Sequence, residues 1–227
     1  MRTQQIFGSD RIREFIARIL DFGGALVALL LLSPVLAGIA LLVFFVDGRP
    51  VLFRQKRVGR NGHLFEILKF RTMCSSDAAQ LPLTVAGDRR ITYTGAILRK
   101  FKLDELPQFV NVLRGEMSFI GPRPEMPEYV QYQDALWRSV LEVRPGITDA
   151  ATLVFRDEEQ LLQSVADADS YYRATLLPAK LRIALRYRES RSLPRDLTLL
   201  WLTARYSIFP RNFDRERVLR ALGAEAP

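Results

Sequence analysis

The residues best suited to chemistry are two adjacent carboxylates, Asp104 and Glu105. They lie within Arg99-Lys-Phe-Lys-Leu-Asp-Glu-Leu-Pro-Gln-Phe-Val-Asn-Val-Leu-Arg114, bracketed by Arg99, Lys100, Lys102 and Arg114. Neighbouring carboxylates repel, so such a pair persists only where cations or a metal compensate it. Pro107 suits the first turn of a helix. Leu106, Phe109, Val110 and Leu113 then mark one apolar face, and Gly115 ends the pattern. The acids are therefore expected at a helix N-terminus, where the dipole favours the ionised form. An ionised Asp beside cations is either a structural ion-pair cap or a nucleophile, and spacing alone puts the structural reading first.

Further arginines sit in rigid turns. In Gly121-Pro-Arg-Pro-Glu125, Pro122 and Pro124 fix the backbone around Arg123, which then loses little entropy on pairing with a phosphate. The alternative is a capping arginine for a helix expected over Met126–Leu141. Arg144 opens a similar turn, Arg144-Pro-Gly-Ile-Thr148. Arg99, Arg123 and Arg144 could together cradle the acid pair. The formal charge of +8 in 227 residues points the same way, towards polyanions: nucleic acid, anionic lipid or phosphorylated substrates. One cysteine, Cys74, excludes an internal disulfide framework and a zinc cluster. One histidine, His63, excludes His-rich metal sites and reads as an exposed turn residue.

These residues must be positioned by elements that begin at a membrane. Residues 1–21 carry Arg2, Arg11, Arg13 and Arg18 among apolar residues at helical spacing, a basic amphipathic helix suited to an anionic bilayer surface. Phe22 to Val46 is uncharged and longer than the roughly 20 residues that span hydrocarbon. Ser33-Pro34 near its middle should break or kink the helix. Both flanks are basic, with Arg49, Arg54, Lys56, Arg57 and Arg60 following, so the positive-inside rule places both on the cytoplasmic side. A re-entrant hairpin satisfies this and a straight span does not, although kinked spans are also common.

Asp47-Gly-Arg-Pro50 is a turn, and Val51–Val58 and Leu64–Phe70 read as a basic β-hairpin across Gly59-Arg-Asn-Gly62. Residues 74–88 read as a loop, and Ala96–Phe101 as a short helix presenting Arg99 to the acids. The remainder, 157–213, reads as helical, with Pro178, Pro194 and Pro210 as breaks. Its apolar stretch around Trp201 and Tyr206 either packs on the core or lies at the membrane interface. The expected class is α+β and mainly helical. The expected divisions are 1–48 for the amphipathic helix and re-entrant membrane hairpin, 49–213 for the catalytic domain, and 214–227 for a peripheral tail.

Taken in order, the motifs resemble the bacterial sugar transferases, specifically the small monotopic phosphoglycosyl transferases. The resemblance runs from Ser33-Pro34 to about Phe209. It is carried by Lys69-Phe-Arg-Thr-Met73, Leu98-Arg-Lys100, Leu103-Asp-Glu-Leu-Pro-Gln108, Asn111-Val-Leu-Arg-Gly-Glu-Met-Ser118, Gly121-Pro-Arg-Pro-Glu125 and Arg144-Pro-Gly-Ile-Thr148. It implies transfer of a sugar 1-phosphate from a UDP-sugar to a polyprenol (undecaprenyl) phosphate, as the first membrane step of a bacterial glycoconjugate or polysaccharide pathway. By the same resemblance Asp104 is the nucleophile that expels UMP and carries a covalent phosphosugar, and Glu105 holds Mg²⁺. Arg99 and Arg123 match phosphate-site arginines, Arg144 is a third candidate, and Lys69, Arg71, Asp149 and Asp196 are candidate substrate-site residues. Asp149 departs from the glycine that familiar members often carry, so the identity of the sugar is not transferred. The implied location is the bacterial inner membrane, with the site on its cytoplasmic face and membrane lipids as partners.

The alternative is a non-catalytic basic module that docks on a membrane surface. It explains the charge and the apolar run, but not paired acids facing arginines. No nucleic-acid motif is present, and a homodimer is compatible with the sequence without being specified by it.

Overall fold

The computed structural model describes residues 2–74 and 83–222, with side chains from Glu14 onward. The amphipathic pattern of 1–13, most of the loop at 74–88 and the last five residues thus lie wholly or partly outside the described residues.

Helix α1 runs from Arg2 to Val46 as one element. The break expected at Ser33-Pro34 does not interrupt it. Proline cannot donate to the carbonyl four residues back, Leu30, but the Ser33 hydroxyl donates to that same oxygen at 2.8 Å. Strands β1 (Leu52–Val58) and β2 (Leu64–Phe70) form the antiparallel hairpin, pairing Leu52 with Phe70 and Val58 with Leu64. His63 is exposed in its turn. Helix α2 (Tyr93–Lys100) starts earlier than the spacing suggests, because the Thr92 side chain caps it by accepting from Gly95 N. Helix α3 (Gln108–Arg114) ends at Gly115, whose φ of +82° is the left-handed closure expected there.

Next come β3 (Ser118–Ile120), α4 (Ala135–Leu141) and β4 (Gly146–Thr148). The helix expected over Met126–Leu141 is only its last half. Pro127–Tyr129 is a separate 3₁₀ turn, and Asp134 caps α4 by accepting from Leu136 N and Trp137 N. Helices α5 (Ala150–Val154), α6 (Glu158–Gln163) and α7 (Ala168–Tyr171) follow. A π-helical stretch, Tyr172–Leu176, then leads directly into α8 (Leu177–Glu189). Pro178 does not break the helix: it falls just where the π-helical stretch gives way to α8. Helix α9 is Leu193–Ile208 and α10 is Arg215–Leu222. The tail is not peripheral over 215–222: Val218, Leu219 and Leu222 are buried in the main core with Leu199, Leu202 and Tyr206 of α9.

Both ends of the apolar run of α1 are held by the rest of the chain. At one end Arg18 donates to the last carbonyls of α3, Val112 O at 2.6 Å and Leu113 O at 2.8 Å. Asp21 accepts from Ser118 Oγ at 2.8 Å and Phe119 N at 3.1 Å. Ala25 packs in a core cluster with Phe65, Ile67, Val112 and Met117. At the other end Ile39 and Val43 pack with Phe70 and Leu98. Between these anchors Leu26, Val27, Leu30, Leu31 and Val35 are exposed, Leu31 by 74%.

The sequence patterns do not reveal the parallel pairing of β3 with β4, Ser118 beside Gly146 and Ile120 beside Thr148. It brings the Gly121-Pro-Arg and Arg-Pro-Gly turns into backbone contact. A Cβ at Gly146 would lie 2.1 Å from Gly121 N, so only glycine permits the approach. Replacing Gly146 by Ala is expected to destabilise the protein by about 3 kcal/mol through this overpacking. Thermal unfolding of the detergent-solubilised variant checks it, and an unchanged midpoint would contradict the close approach.

Candidate active site

Asp104 and Glu105 lie in a 3₁₀ turn, Leu103–Glu105, just ahead of α3 rather than in its first turn. Lys102, left-handed at φ +56°, ψ +23°, turns the chain from α2 into it. Both acids are buried, 6% and 8% exposed. Glu105 Oε1 accepts from Lys69 Nζ at 2.8 Å and Arg123 Nη2 at 2.6 Å, while Oε2 has a longer contact to Arg123 Nη1 at 3.4 Å. Burial works against the Glu105 charge, but Arg123, Lys69 and Lys102 outweigh it and hold the carboxyl well below its usual range. Asp104 goes the other way. Burial and then the neighbouring Glu105 charge raise it, and Lys69, Lys102 and Arg99 offset this only in part. Asp104 Oδ1 is buried without a hydrogen-bond partner. The two acids are therefore differentiated: Glu105 is a fixed anion that gathers cations, and Asp104 keeps an oxygen in reserve.

Arg123 is aimed from a clamped backbone. Gly146 N donates to Pro122 O at 3.0 Å, Arg123 N to Asp149 Oδ2 at 3.3 Å, Arg57 Nη1 to Pro124 O at 3.2 Å, and Val58 N to Glu125 O at 2.9 Å. Asp149 also caps α5 through Thr152 N at 2.5 Å. It is buried and acts by positioning the Arg123 turn. Lys69 comes from the end of β2. Asn111 ties β2 to α3 by accepting from Leu68 N at 3.0 Å and donating to Glu66 O at 2.7 Å.

Asp104, Lys69, Arg71, Arg99 and Arg123 open on one cleft of about 690 Å³. Arg99 is paired with Glu159 of α6 across it. Arg71 reaches the carbonyls of Asp47 and Arg49, closing off the end of α1. Two candidates are not brought to the acids. Arg144 donates to Gly115 O at 3.1 Å and faces Glu14 at 3.5 Å, on the C-terminal side of α3. Asp196 accepts from Tyr187 Oη at 2.9 Å and Arg191 Nε at 2.8 Å in the first turn of α9. Lys100 and Arg114, which bracket the acids in sequence, are exposed. Ser33 and Pro34 are on the exposed stretch of α1.

Residues 12–210, most of the chain, match the family described as bacterial sugar transferase. The chain belongs to that family. A UDP-N-acetylgalactosamine-undecaprenyl-phosphate N-acetylgalactosaminephosphotransferase of Aeromonas hydrophila is 42% identical over 149 residues, 63% of this chain and 35% of that one. Exopolysaccharide production protein ExoY of Rhizobium meliloti is 36% identical over 185 residues, 74% of this chain and 82% of ExoY. A UDP-glucose:undecaprenyl-phosphate glucose-1-phosphate transferase of Caulobacter vibrioides is 37% identical over 178 residues, covering 74% and 67% of the two chains. The match thus spans about a third of the Aeromonas protein and most of ExoY.

Among the described residues no group of three or more acid, His or Cys side chains converges on a metal position. A protein-only cage is therefore not formed. Mg²⁺ commonly needs only one or two carboxylates when substrate phosphates complete its shell. Glu105 Oε2, engaged only by the longer Arg123 contact at 3.4 Å, fits that kind of shared site.

Sequence reasoning missed a buried polar cluster on the cleft wall. Tyr172 Oη donates to Glu125 Oε1 at 2.8 Å, and Lys180 Nζ donates to Glu158 Oε2 at 3.0 Å and lies 3.7 Å from Glu125. Glu125 closes the Pro-Arg-Pro turn, which was a usable signal. Lys180 lies in the helical stretch expected after Pro178, and nothing in the sequence singled it out.

Removing the Glu105 charge should lower the raised Asp104 pKa, because a repelling anion goes and Lys69 and Arg123 are freed. In Glu105→Gln the acid limb of the pH–rate profile is expected to move to lower pH, whatever the loss in absolute rate. A limb that stays in place would show that the two acids are not coupled.

Proposed function

We propose that this chain transfers a sugar 1-phosphate from a UDP-sugar to a polyprenol phosphate through a covalent intermediate on Asp104. The observation that supports the reading best is Asp104 itself: buried, one oxygen unpartnered, and opening on a cleft rich in cations. The relatives' printed substrates, a UDP-sugar and undecaprenyl phosphate, agree with such a cleft.

An oxygen of Asp104 attacks the β-phosphorus, the bond from that phosphorus to the bridging oxygen breaks, and UMP leaves with the electron pair. An oxygen of the lipid phosphate then attacks the same phosphorus and displaces the Asp104 carboxylate, giving the polyprenol diphosphate sugar. Arg123 and Lys69, held against Glu105, present fixed positive charge beside the reacting phosphoryl group without needing to reorganise. Arg99 joins them on exchanging Glu159 for a phosphate oxygen. Glu105 would hold Mg²⁺ together with the donor diphosphate, where the ion would neutralise charge on the phosphates.

The acceptor's phosphate lies at the headgroup level, so the site must face the membrane. Glu14–Val46 is long and apolar enough to cross a bilayer. One globular body, however, holds Arg18 and Asp21 near its start and Val43 and Asp47 at its end. A chain crossing the bilayer would place those anchors on opposite faces. In our reading the run enters and leaves by the cytoplasmic face of the inner membrane, bent about Ser33-Pro34 rather than broken. The exposed apolar side of α9, with Leu193, Leu197 and Trp201, lies at the same interface.

Asp104→Asn is expected to abolish UMP release from a UDP-sugar supplied with polyprenol phosphate and Mg²⁺. Full activity would refute the nucleophile assignment. For topology, cysteines placed at Gln5 and Lys56 in a Cys74→Ser background should both label from the cytoplasmic side. Labelling from opposite sides would restore a spanning helix.

A further inference from the structure

The cations on the cleft wall differ in what they already hold. Lys69 and Arg123 are engaged by Glu105, Arg99 by Glu159, Lys180 by Glu158 and Arg57 by Glu125. Arg90 is closed on Asp88, and Arg71 on the carbonyls at the end of α1. Lys102 makes no ion pair, but it acts directly on the charges of Asp104 and Glu105 and so belongs to the dyad. Arg156 is the cleft cation left over. Among the described residues its side chain forms neither an ion pair nor a hydrogen bond, and the cations acting most strongly on Asp104 are Lys69, Lys102 and Arg99.

The placement of Arg156 is specific. It lies in the short link between α5 and α6, and its guanidinium lies over the ring of Phe213, 5.7 Å from the centroid. Phe213 is itself seated edge-on against the buried Tyr206, centroids 5.2 Å apart. An arginine held over an aromatic ring by a cation–π contact keeps its N–H groups unused. Burial works against its charge, with the adjacent Asp157 opposing that effect, so an anion arriving there is favoured. Among the other residues lining the cleft, Arg71 reaches the carbonyls at the end of α1. Helix α5 packs instead on α8 and α10. Arg156 is thus held by elements other than those that carry the end of α1.

We propose that Arg156 binds the α-phosphate of the donor nucleotide, the phosphate that departs with the nucleoside. This rests on the transfer reaction above and adds to it a residue that separates the donor's phosphate from the lipid's. The guanidinium can offer two parallel N–H groups to that phosphate, while Arg123 and Lys69 face the β-phosphate at Asp104.

The test uses the full-length detergent-solubilised chain and titrates UMP and uridine into wild type, Arg156→Ala and Arg156→Lys. Arg156→Ala is expected to weaken UMP binding about tenfold and to raise the KM for the UDP-sugar in proportion. Uridine binding and the KM for polyprenol phosphate should stay unchanged, and Arg156→Lys should recover part of the UMP affinity. Arg156→Gln, which keeps much of the stem over Phe213, replaces the alanine variant if that fails to fold. UMP affinity unaltered by the substitution overturns the proposal, and so does an equal loss for uridine, which would make Arg156 a reader of the base. A rise in the lipid-phosphate KM alone overturns it as well, by assigning Arg156 to the acceptor. Should wild type bind UMP through Arg156 yet release none from any UDP-sugar, the anion site stands and the transfer reaction falls.

Discussion

Glu105 carries its charge where water cannot stabilise it, and the fold supplies that stabilisation from two distant segments. Lys69 arrives from the end of β2, and Arg123 from the turn after β3. Leaving a buried charge unpaired costs about 3–5 kcal/mol, so the hairpin, the Pro-Arg-Pro turn and the acid turn are bound to one another by a single carboxylate. Other features serve this junction. Asn111 fixes β2 against α3, the β3–β4 pairing fixes the Arg123 turn, and Asp149 holds its backbone N–H. With Glu105 satisfied in this way, Asp104 is left as the acid whose charge is under-compensated, and reactivity can reside there.

The same economy of pairing extends along the cleft. Most cations on the wall meet an acid from a different element: Arg99 meets Glu159, Lys180 meets Glu158, and Arg57 meets Glu125. The cleft is thus organised before any polyanion enters, and pre-organised charge is worth most where water is excluded. A diphosphate entering this cleft would exchange partners on Arg99, whereas Arg123 and Lys69 can stay where they are.

Much of this was legible in the sequence where chemistry is local. The hairpin, the glycine stop after α3, the acid pair and the stiffened Arg123 turn all follow from residue types at short range. What failed depended on contacts distant in the chain. Arg144 shares a turn type with Arg123, but the β3–β4 pairing turns it towards Gly115 and Glu14. Asp196 is absorbed by Tyr187 and Arg191. Pro34 reads as a break or a kink, and in the structure the helix continues past it with the Ser33 hydroxyl serving the carbonyl the proline abandons. Residues 215–222 read as part of a peripheral tail, yet three apolar side chains there close the core beside α9.

The anchoring of α1 has a consequence for how such a chain can be inherited. Arg18 occupies the last carbonyls of the helix that follows the acid pair, Asp21 holds β3, and Val43 packs under Phe70 one residue beyond Lys69. The membrane segment is therefore not a detachable tether that recombination could exchange for another of equal hydropathy. A foreign anchor would bring the chain to the bilayer but leave the acid turn without its floor. Helix α1 and the body it packs against thus constrain the substitutions each can accept.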